Sequence, residues 1–130
     1  MLTSFGKTLR KLRIDNEELL KDMALKLGVT LAYLSAVETG KREIPDTWVS
    51  IIAREYALNY EEEQELQEKA DLSKKVIKLD VGNLDDEAKR MVVLFAKRFK
   101  DLSQGQIFRI NKILEDKGND DWLKKLWIYG

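Results

Sequence analysis

Apolar residues recur every three or four positions in the first half of the chain, which is the spacing of helices with one buried face. We predict five short helices up to about Ser73. The first follows a cap at Thr3 or Ser4, the fourth begins near Asp46, and the fifth opens at Asn59, with a glutamate three residues later. The inward positions of the first and fourth helices are Phe5, Leu9, Leu12, Trp48, Val49, Ile52 and Tyr56.

The run from Leu20 to Pro45 predicts two of these helices, joined by a tight turn. Ala24 is small where the second helix would cross the first, and Gly28 stands where a chain leaving a helix adopts a left-handed conformation. Thr30 is a good N-cap for the second helix. The other inward positions are Met23, Leu27, Leu34 and Val37. The pattern is typical of a helix-turn-helix, with DNA as the first candidate partner, and the alternative is an ordinary αα-hairpin of a helical bundle.

Between Val76 and Val81 the period changes from three or four residues to two, because Ile77 and Leu79 alternate with charged residues. This is the rhythm of a short strand. A single strand needs a partner for its backbone groups, and the simplest partner is the same strand of a second copy. The alternative is an extended linker that lies on the helical core.

After residue 83 the helical spacing returns with a wide apolar stripe. The stripe of the first helix consists of Ala88, Met91, Val92, Leu94, Phe95, Phe99 and Leu102. Ser103, followed by Gln106, predicts a second helix, and we expect the two to form a hairpin used for dimerisation. A last helical turn is predicted from Trp122 to Tyr129, either folded onto its own subunit or available to a partner.

The composition removes several classes of function. The 130 residues contain neither cysteine nor histidine, so disulfides, thiolate metal sites and the commonest general acid and base are absent. Nothing resembles a phosphate-cradling glycine loop, and carboxylates occur in solvated runs. We therefore expect no enzyme, no metal and no cofactor. Without a signal-peptide pattern or a long apolar run, the chain is expected to be soluble and cytoplasmic, with no membrane contact.

The 23 basic residues balance 23 acidic ones, but their distribution is uneven. Met1 to Arg13 contains four basic residues and no acid, whereas Glu55 to Lys75 contains seven acids and three lysines. A nucleic-acid interface needs only a local basic patch, so the neutral total is compatible with DNA binding that weakens steeply as salt rises.

Leu20 to Pro45, with the sequence LRKLR upstream, resembles the Cro and phage-repressor (XRE-type) helix-turn-helix regulators. The resemblance extends over about Phe5 to Ala70. It implies an all-α fold with a five-helix lambda-repressor-like DNA-binding domain over residues 1–73. For residues 74–130 the periodicity alone predicts the strand and the helical hairpin used for dimerisation. The resemblance also implies a homodimer on a near-palindromic operator.

The same resemblance implies two sets of contacts with double-stranded DNA. The base-contacting positions of the recognition helix are Leu31, Ala32, Tyr33, Ser35 and Ala36. The phosphate-contacting positions are Lys7, Arg10, Lys11, Thr30, Thr39, Lys41 and Arg42. The base-contacting set is unusually apolar and lacks the Gln, Asn and Arg that form bidentate hydrogen bonds with bases. Arg13 and Glu38 match a structural ion pair between the first and third helices.

The predicted function is therefore sequence-specific transcription regulation, as a homodimeric repressor whose recognition helix extends from Thr30 to Glu38. The expected dimerisation residues are Ile77, Leu79, Val81, Val92, Phe95 and Phe99. One alternative is an antitoxin that regulates its own operon and binds a protein partner through its C-terminal region. Another is a protein adaptor that has lost DNA binding.

Overall fold

Five helices form the first of two units in the computed structural model, which describes residues 1–116. The chain divides between Lys78 and Leu79, five residues after the predicted boundary. The helices of the first unit are α1 (Ser4–Asp15), α2 (Leu20–Leu27), α3 (Leu31–Glu38), α4 (Trp48–Glu55) and α5 (Tyr60–Leu72). None of the helices in the described part of the chain is long and apolar enough to cross a membrane.

A single apolar core holds these five helices together. α1 contacts α2, α3 and α5, while α2 contacts α3 and α4, and α5 also packs on α4. The side chains with less than 2% exposure are Phe5, Leu9, Met23, Leu34, Val37, Ile52 and Leu66. These side chains come from all five helices, and small buried residues such as Ala70 fill the space between them. The inward stripes predicted from helical spacing therefore meet in one place.

The predicted helix ends are confirmed by their capping hydrogen bonds. The hydroxyl of Thr3 accepts from the backbone N–H of Gly6, and that of Thr30 accepts from Tyr33, both at 3.0 Å. Asn59 and Glu62 form a reciprocal capping box at the start of α5. Gly28 has φ 69°, in the left-handed region, and ends α2. The turn from α2 to α3 thus has only three residues, which keeps the two helices in contact.

Gly6 lies where α1 crosses the end of α3. A Cβ atom built at Gly6 would overlap the backbone carbonyl of Glu38, so there is no room for a methyl group. We expect Gly6→Ala to lower the free energy of unfolding by about 1–3 kcal/mol despite the better helix propensity of alanine. Urea unfolding monitored by circular dichroism measures this change in the free energy of unfolding. Gly105→Ala is the matched control, because its nearest atom lies 3.9 Å from the added Cβ; an equal effect of the two substitutions would contradict the proposed overlap.

Tyr56 connects the end of α4 to the start of α2 through Glu18. Its hydroxyl donates to the Glu18 carboxylate at 3.0 Å, and Lys26 also pairs with Glu18 at 2.8 Å. The Lys26 ammonium lies 4.5 Å from the centre of the Tyr56 ring. Burial, followed by the hydrogen bond and the charge of Glu18, raises the pKa of Tyr56 above its ordinary value of 10.0.

This raised pKa predicts an alkaline loss of stability. Above pH 10 the unfolded chain releases the Tyr56 proton while the folded protein retains it, so the folded state binds more protons and stability falls as pH rises. Tyrosinate absorbance should contain one late-titrating component that Tyr56→Phe removes. Tyr60→Phe, at a residue that is 77% exposed, is the control. A late component that survives in the Tyr56→Phe variant would refute the assignment.

The predicted strand is wrong. Residues 76–81 have no regular secondary structure, and no strand occurs anywhere in residues 1–116. The alternation of apolar and charged residues does not separate a buried face from an exposed one, since Ile77, Lys78 and Leu79 are all exposed. At the end of the segment Asp80 accepts a hydrogen bond from the Gly82 N–H at 2.9 Å, which turns the chain instead of extending it. An isolated strand needs a second strand to form hydrogen bonds with its backbone N–H and C=O groups, and the alternating side chains do not supply these bonds.

The second unit contains α6 (Asp86–Arg98), a 3-10 turn (Phe99–Asp101) and α7 (Gln104–Glu115) within the described residues. Asp85 caps α6, and Ser103 with Gln106 forms the predicted capping box of α7. The expected hairpin is not packed, because no Cα atom of α6 lies within 8 Å of a Cα atom of α7. Packed helices have axes about 8–10 Å apart. The predicted turn from Trp122 to Tyr129 lies outside the described residues.

Candidate nucleic-acid interface

The third helix has two chemically different faces. Leu34, Val37 and Glu38 are at most 3% exposed and point into the core of the first unit. Leu31, which is 48% exposed, lies on the opposite face with Ala32 and Ser35. Three of the five predicted base-contacting residues are therefore accessible to a macromolecule. None of them belongs to the apolar core that holds α3 in place.

The orientation of α3 is fixed by a buried ion pair between Arg13 and Glu38. The guanidinium of Arg13 donates two hydrogen bonds to the carboxylate, at 2.5 and 3.0 Å, so the pair is bidentate. The structure thus brings together the two residues expected to pair. Arg13 is 7% exposed and Glu38 is 3% exposed. A second contact joins the same two helices, because the N–H of Thr3, the N-cap of α1, donates to the Glu38 carbonyl at 2.9 Å.

Tyr33 and Ala36, the other two predicted base-contacting residues, are half-buried. The Tyr33 ring packs edge-on against Trp48, with 5.9 Å between ring centres, and this places part of the ring against the core. The Arg42 guanidinium lies 5.4 Å from the centre of the same ring. Tyr33 therefore supports α3 and also positions the arginine that follows it.

The two threonines predicted to contact phosphates use their hydroxyl groups differently. Thr30 accepts a hydrogen bond as the N-cap of α3, which leaves its O–H able to donate to another oxygen. Thr39 donates to the backbone carbonyl of Ser35 at 2.9 Å. Thr30 is thus ready to donate to a phosphate, whereas Thr39 would first have to release the Ser35 carbonyl.

Lys41 and Arg42 are exposed and lie in the loop after α3, three and four residues beyond its last residue. The backbone N–H groups of both residues donate to the carbonyl of Ala36, at 2.8 and 3.2 Å, and Gly40 has φ 77° in the turn before them. These bonds fold the loop back on the last turn of α3. They therefore hold two cationic side chains at the edge of the exposed face.

The three basic residues predicted on α1, which are Lys7, Arg10 and Lys11, are also exposed. Arg10 lines a cavity of about 340 Å³ together with Leu19 and Leu20. The predicted phosphate-contacting cations thus come from two places in the first unit, α1 and the loop after α3.

Three lysines that sequence analysis did not select accompany Lys41 and Arg42. A groove of about 470 Å³ lies between the loop after α3 and the segment after α5, and it is lined by both. The additional cations are Lys74, Lys75 and Lys78. The sequence shows these lysines close together, but it gives no signal that they lie beside Lys41 and Arg42 in the fold. We call this feature the basic groove.

The residues predicted to mediate dimerisation fall into two groups. Ile77 and Leu79 are exposed and Val81 is half-buried in the segment that forms no strand. On α6 Val92 is half-buried and Phe95 is 46% exposed. Phe99, the first residue of the 3-10 turn after α6, is 47% exposed, and its ring stacks on that of Phe95 at 5.9 Å between centres. The remaining exposed apolar residues of α6 and α7 are Met91, Val93, Leu94, Ile107, Phe108, Ile113 and Leu114.

Comparison of the chain with protein-family models, curated proteins and solved structures finds no match in any of the three. The link to the helix-turn-helix regulators is a resemblance that Leu20 to Pro45 carry and that extends over about Phe5 to Ala70.

Proposed function

We propose that the protein is a homodimeric, sequence-specific DNA-binding regulator that acts in the cytoplasm as a repressor and is not an enzyme. One observation carries the proposal: α3 is held by its buried face and the Arg13–Glu38 pair, while Leu31, Ala32 and Ser35 are exposed beside cationic residues. An exposed helix of this kind inserts into the major groove, and the cations at its edge contact the phosphates.

Recognition of bases rests on few groups in this proposal. The exposed face of α3 offers the Ser35 hydroxyl for hydrogen bonding and the apolar side chains of Leu31 and Ala32 for thymine methyl groups. It carries no Arg, Asn or Gln for bidentate hydrogen bonds. We therefore expect modest direct readout, with a substantial contribution from the shape and deformability of the operator.

The proposed second subunit is another copy of this chain, bound through α6. The apolar residues of α6 are exposed, and within the described residues α6 has no contact with α7. Asp86 and Glu87 lie at its start, whereas Lys97 and Arg98 lie at its end. If two copies of α6 pair antiparallel about a twofold axis, the acidic end of each meets the basic end of the other.

Selection of bound sequences from a random duplex pool tests the proposal. We expect enrichment of twofold-symmetric sites whose half-sites lie about 34–36 Å apart on one face of the DNA. Light scattering on the same protein should give a dimer, and Phe95→Asp should give monomers with weaker operator binding. Failure to retain any duplex even at low salt would refute the proposal and favour the adaptor.

The exposed apolar residues of α6 and α7 also support a second candidate, an antitoxin that binds a protein partner through this region. The two candidates differ in what covers α6. A stoichiometric complex with the product of a neighbouring gene, in which that protein replaces the second copy on α6, would favour the antitoxin. A homodimer that buries Phe95 and Phe99 in the presence of that product would count against it.

A further inference from the structure

The basic groove joins two segments that are more than 30 residues apart in the sequence. One wall is the loop after α3, with Lys41 and Arg42, and the other is residues 74–78. We propose that this groove binds the sugar-phosphate backbone of duplex DNA next to the half-site that α3 occupies. The inference rests on the proposed function, and it adds Lys74, Lys75 and Lys78 to the interface.

The charges of the groove favour an anionic ligand. Five cationic side chains line it, against the carboxylates of Glu43 and Asp46. Within the described residues, Lys41, Lys75 and Lys78 are exposed and have no carboxylate within 4.0 Å. The excess of positive charge is therefore not neutralised inside the first unit.

Among the residues that the structure describes, Lys74 is the lysine of the groove that has an ion-pair partner. Its ammonium lies 3.5 Å from the carboxylate of Asp71, and both side chains are about half exposed. An exposed pair of this kind contributes little to stability and is easily exchanged for a phosphate. Lys74 is thus available to a ligand at small cost.

Position identifies the backbone of DNA as the occupant. Lys41 and Arg42 lie in the loop three and four residues after the end of α3, and both line the basic groove. A DNA strand that contacts them at the edge of the major groove therefore continues into the basic groove. A volume of about 470 Å³ exceeds that of one phosphate group and suits a short stretch of sugar and phosphate. Ile44 and Val76 supply apolar lining, which is compatible with the deoxyribose between two phosphates.

The salt dependence of DNA binding measures the number of phosphate contacts. The triple variant Lys74→Ala, Lys75→Ala and Lys78→Ala is compared with wild type on the selected operator, in the full chain. Each lost contact lowers the slope of log K against log salt by about 0.9, so we expect a decrease of about 2–3 and an affinity loss on the order of 100-fold at 0.1 M salt. Ethylation interference should disappear only at the phosphates that flank the half-site.

The matched control removes the same charge from the second unit, as Lys100→Ala, Arg109→Ala and Lys112→Ala, and should leave the slope unchanged. Circular dichroism and light scattering show whether both variants keep their fold and oligomeric state. If wild type binds the operator but the groove variant keeps its slope and interference pattern, the inference is wrong and the proposed function stands. If no duplex binds wild type, the proposed function itself fails. Equally tight, groove-dependent binding of polyglutamate would instead assign the groove to an acidic protein segment.

Discussion

Replacing Glu38 by glutamine should lower the free energy of unfolding by about 3–5 kcal/mol. The substitution keeps the size of the side chain but removes the charge that compensates Arg13, which is buried with it. The backbone contacts of Glu38 with α1 do not depend on its side chain and are retained. Because a small domain has a total stability of about 5–15 kcal/mol, urea unfolding should show a large decrease in midpoint.

The double variant Arg13→Met and Glu38→Leu separates the ion pair from the packing around it. Replacing both partners by apolar residues leaves no uncompensated charge. We therefore expect the double variant to recover most of the free energy of unfolding that Glu38→Gln loses. Glu43→Gln, at an exposed carboxylate, is the control for removing one negative charge. A loss below about 1 kcal/mol in Glu38→Gln, or a double variant less stable than the single one, would contradict the proposed role of the pair.

The second large effect is expected on DNA binding. The double variant Lys41→Glu and Arg42→Glu should abolish operator binding, since it removes two phosphate contacts and places two negative charges at the edge of α3. Stability should change by less than about 1 kcal/mol, because both side chains are exposed and Arg42 loses only its contact with Tyr33. Fluorescence anisotropy with the selected operator measures the affinity.

The matched control is Arg109→Glu and Lys112→Glu, which makes the same change of charge on the exposed surface of α7. It should bind the operator with less than a few-fold loss at 0.15 M salt, where charges beyond about 8 Å are screened. Equal losses in the two variants would show that net charge, and not the position of the cations beside α3, governs binding. Unchanged affinity in Lys41→Glu and Arg42→Glu would refute the assignment of this interface.

Local chemistry made much of the first unit predictable. A threonine that caps a helix or a glycine in the left-handed region acts over a few residues, so Thr30 and Gly28 could be assigned from the sequence. For the same reason the cap of α1 could be placed at Thr3 or Ser4, and the structure has Thr3. The apolar stripes then determine which faces of the helices are buried. The pairing of Arg13 with Glu38 is different, because it came from the resemblance and not from spacing.

Contacts between distant segments were not predictable in this way. Nothing in the sequence around Gly6 indicates that the carbonyl of Glu38 lies against it, since many glycines have no such neighbour. Ala57 adopts φ 50° after α4, although alanine gives no signal for a left-handed residue. The basic groove was missed for the same reason, because it forms only when the end of α5 meets the loop after α3.

The errors in the second unit have a common physical cause. Periodicity reports which face of a segment is apolar, but it does not report what covers that face. The alternation around Leu79 therefore suggested a strand, and the stripes of α6 and α7 suggested a packed hairpin. Both predictions assumed that another segment, of the same chain or of a second copy, buries the apolar face. Periodicity does not specify that segment.

The two faces of α3 have an evolutionary consequence. The residues that hold the helix, Leu34, Val37 and Glu38, are separate from those that it exposes, Leu31, Ala32 and Ser35. Mutations on the exposed face change folding free energy mainly through helix propensity, by at most about 0.7 kcal/mol for ordinary residues. In the proposed function, descendants of this protein would therefore acquire new target preferences one residue at a time without first gaining stability. An engineer can randomise the same three positions in a library.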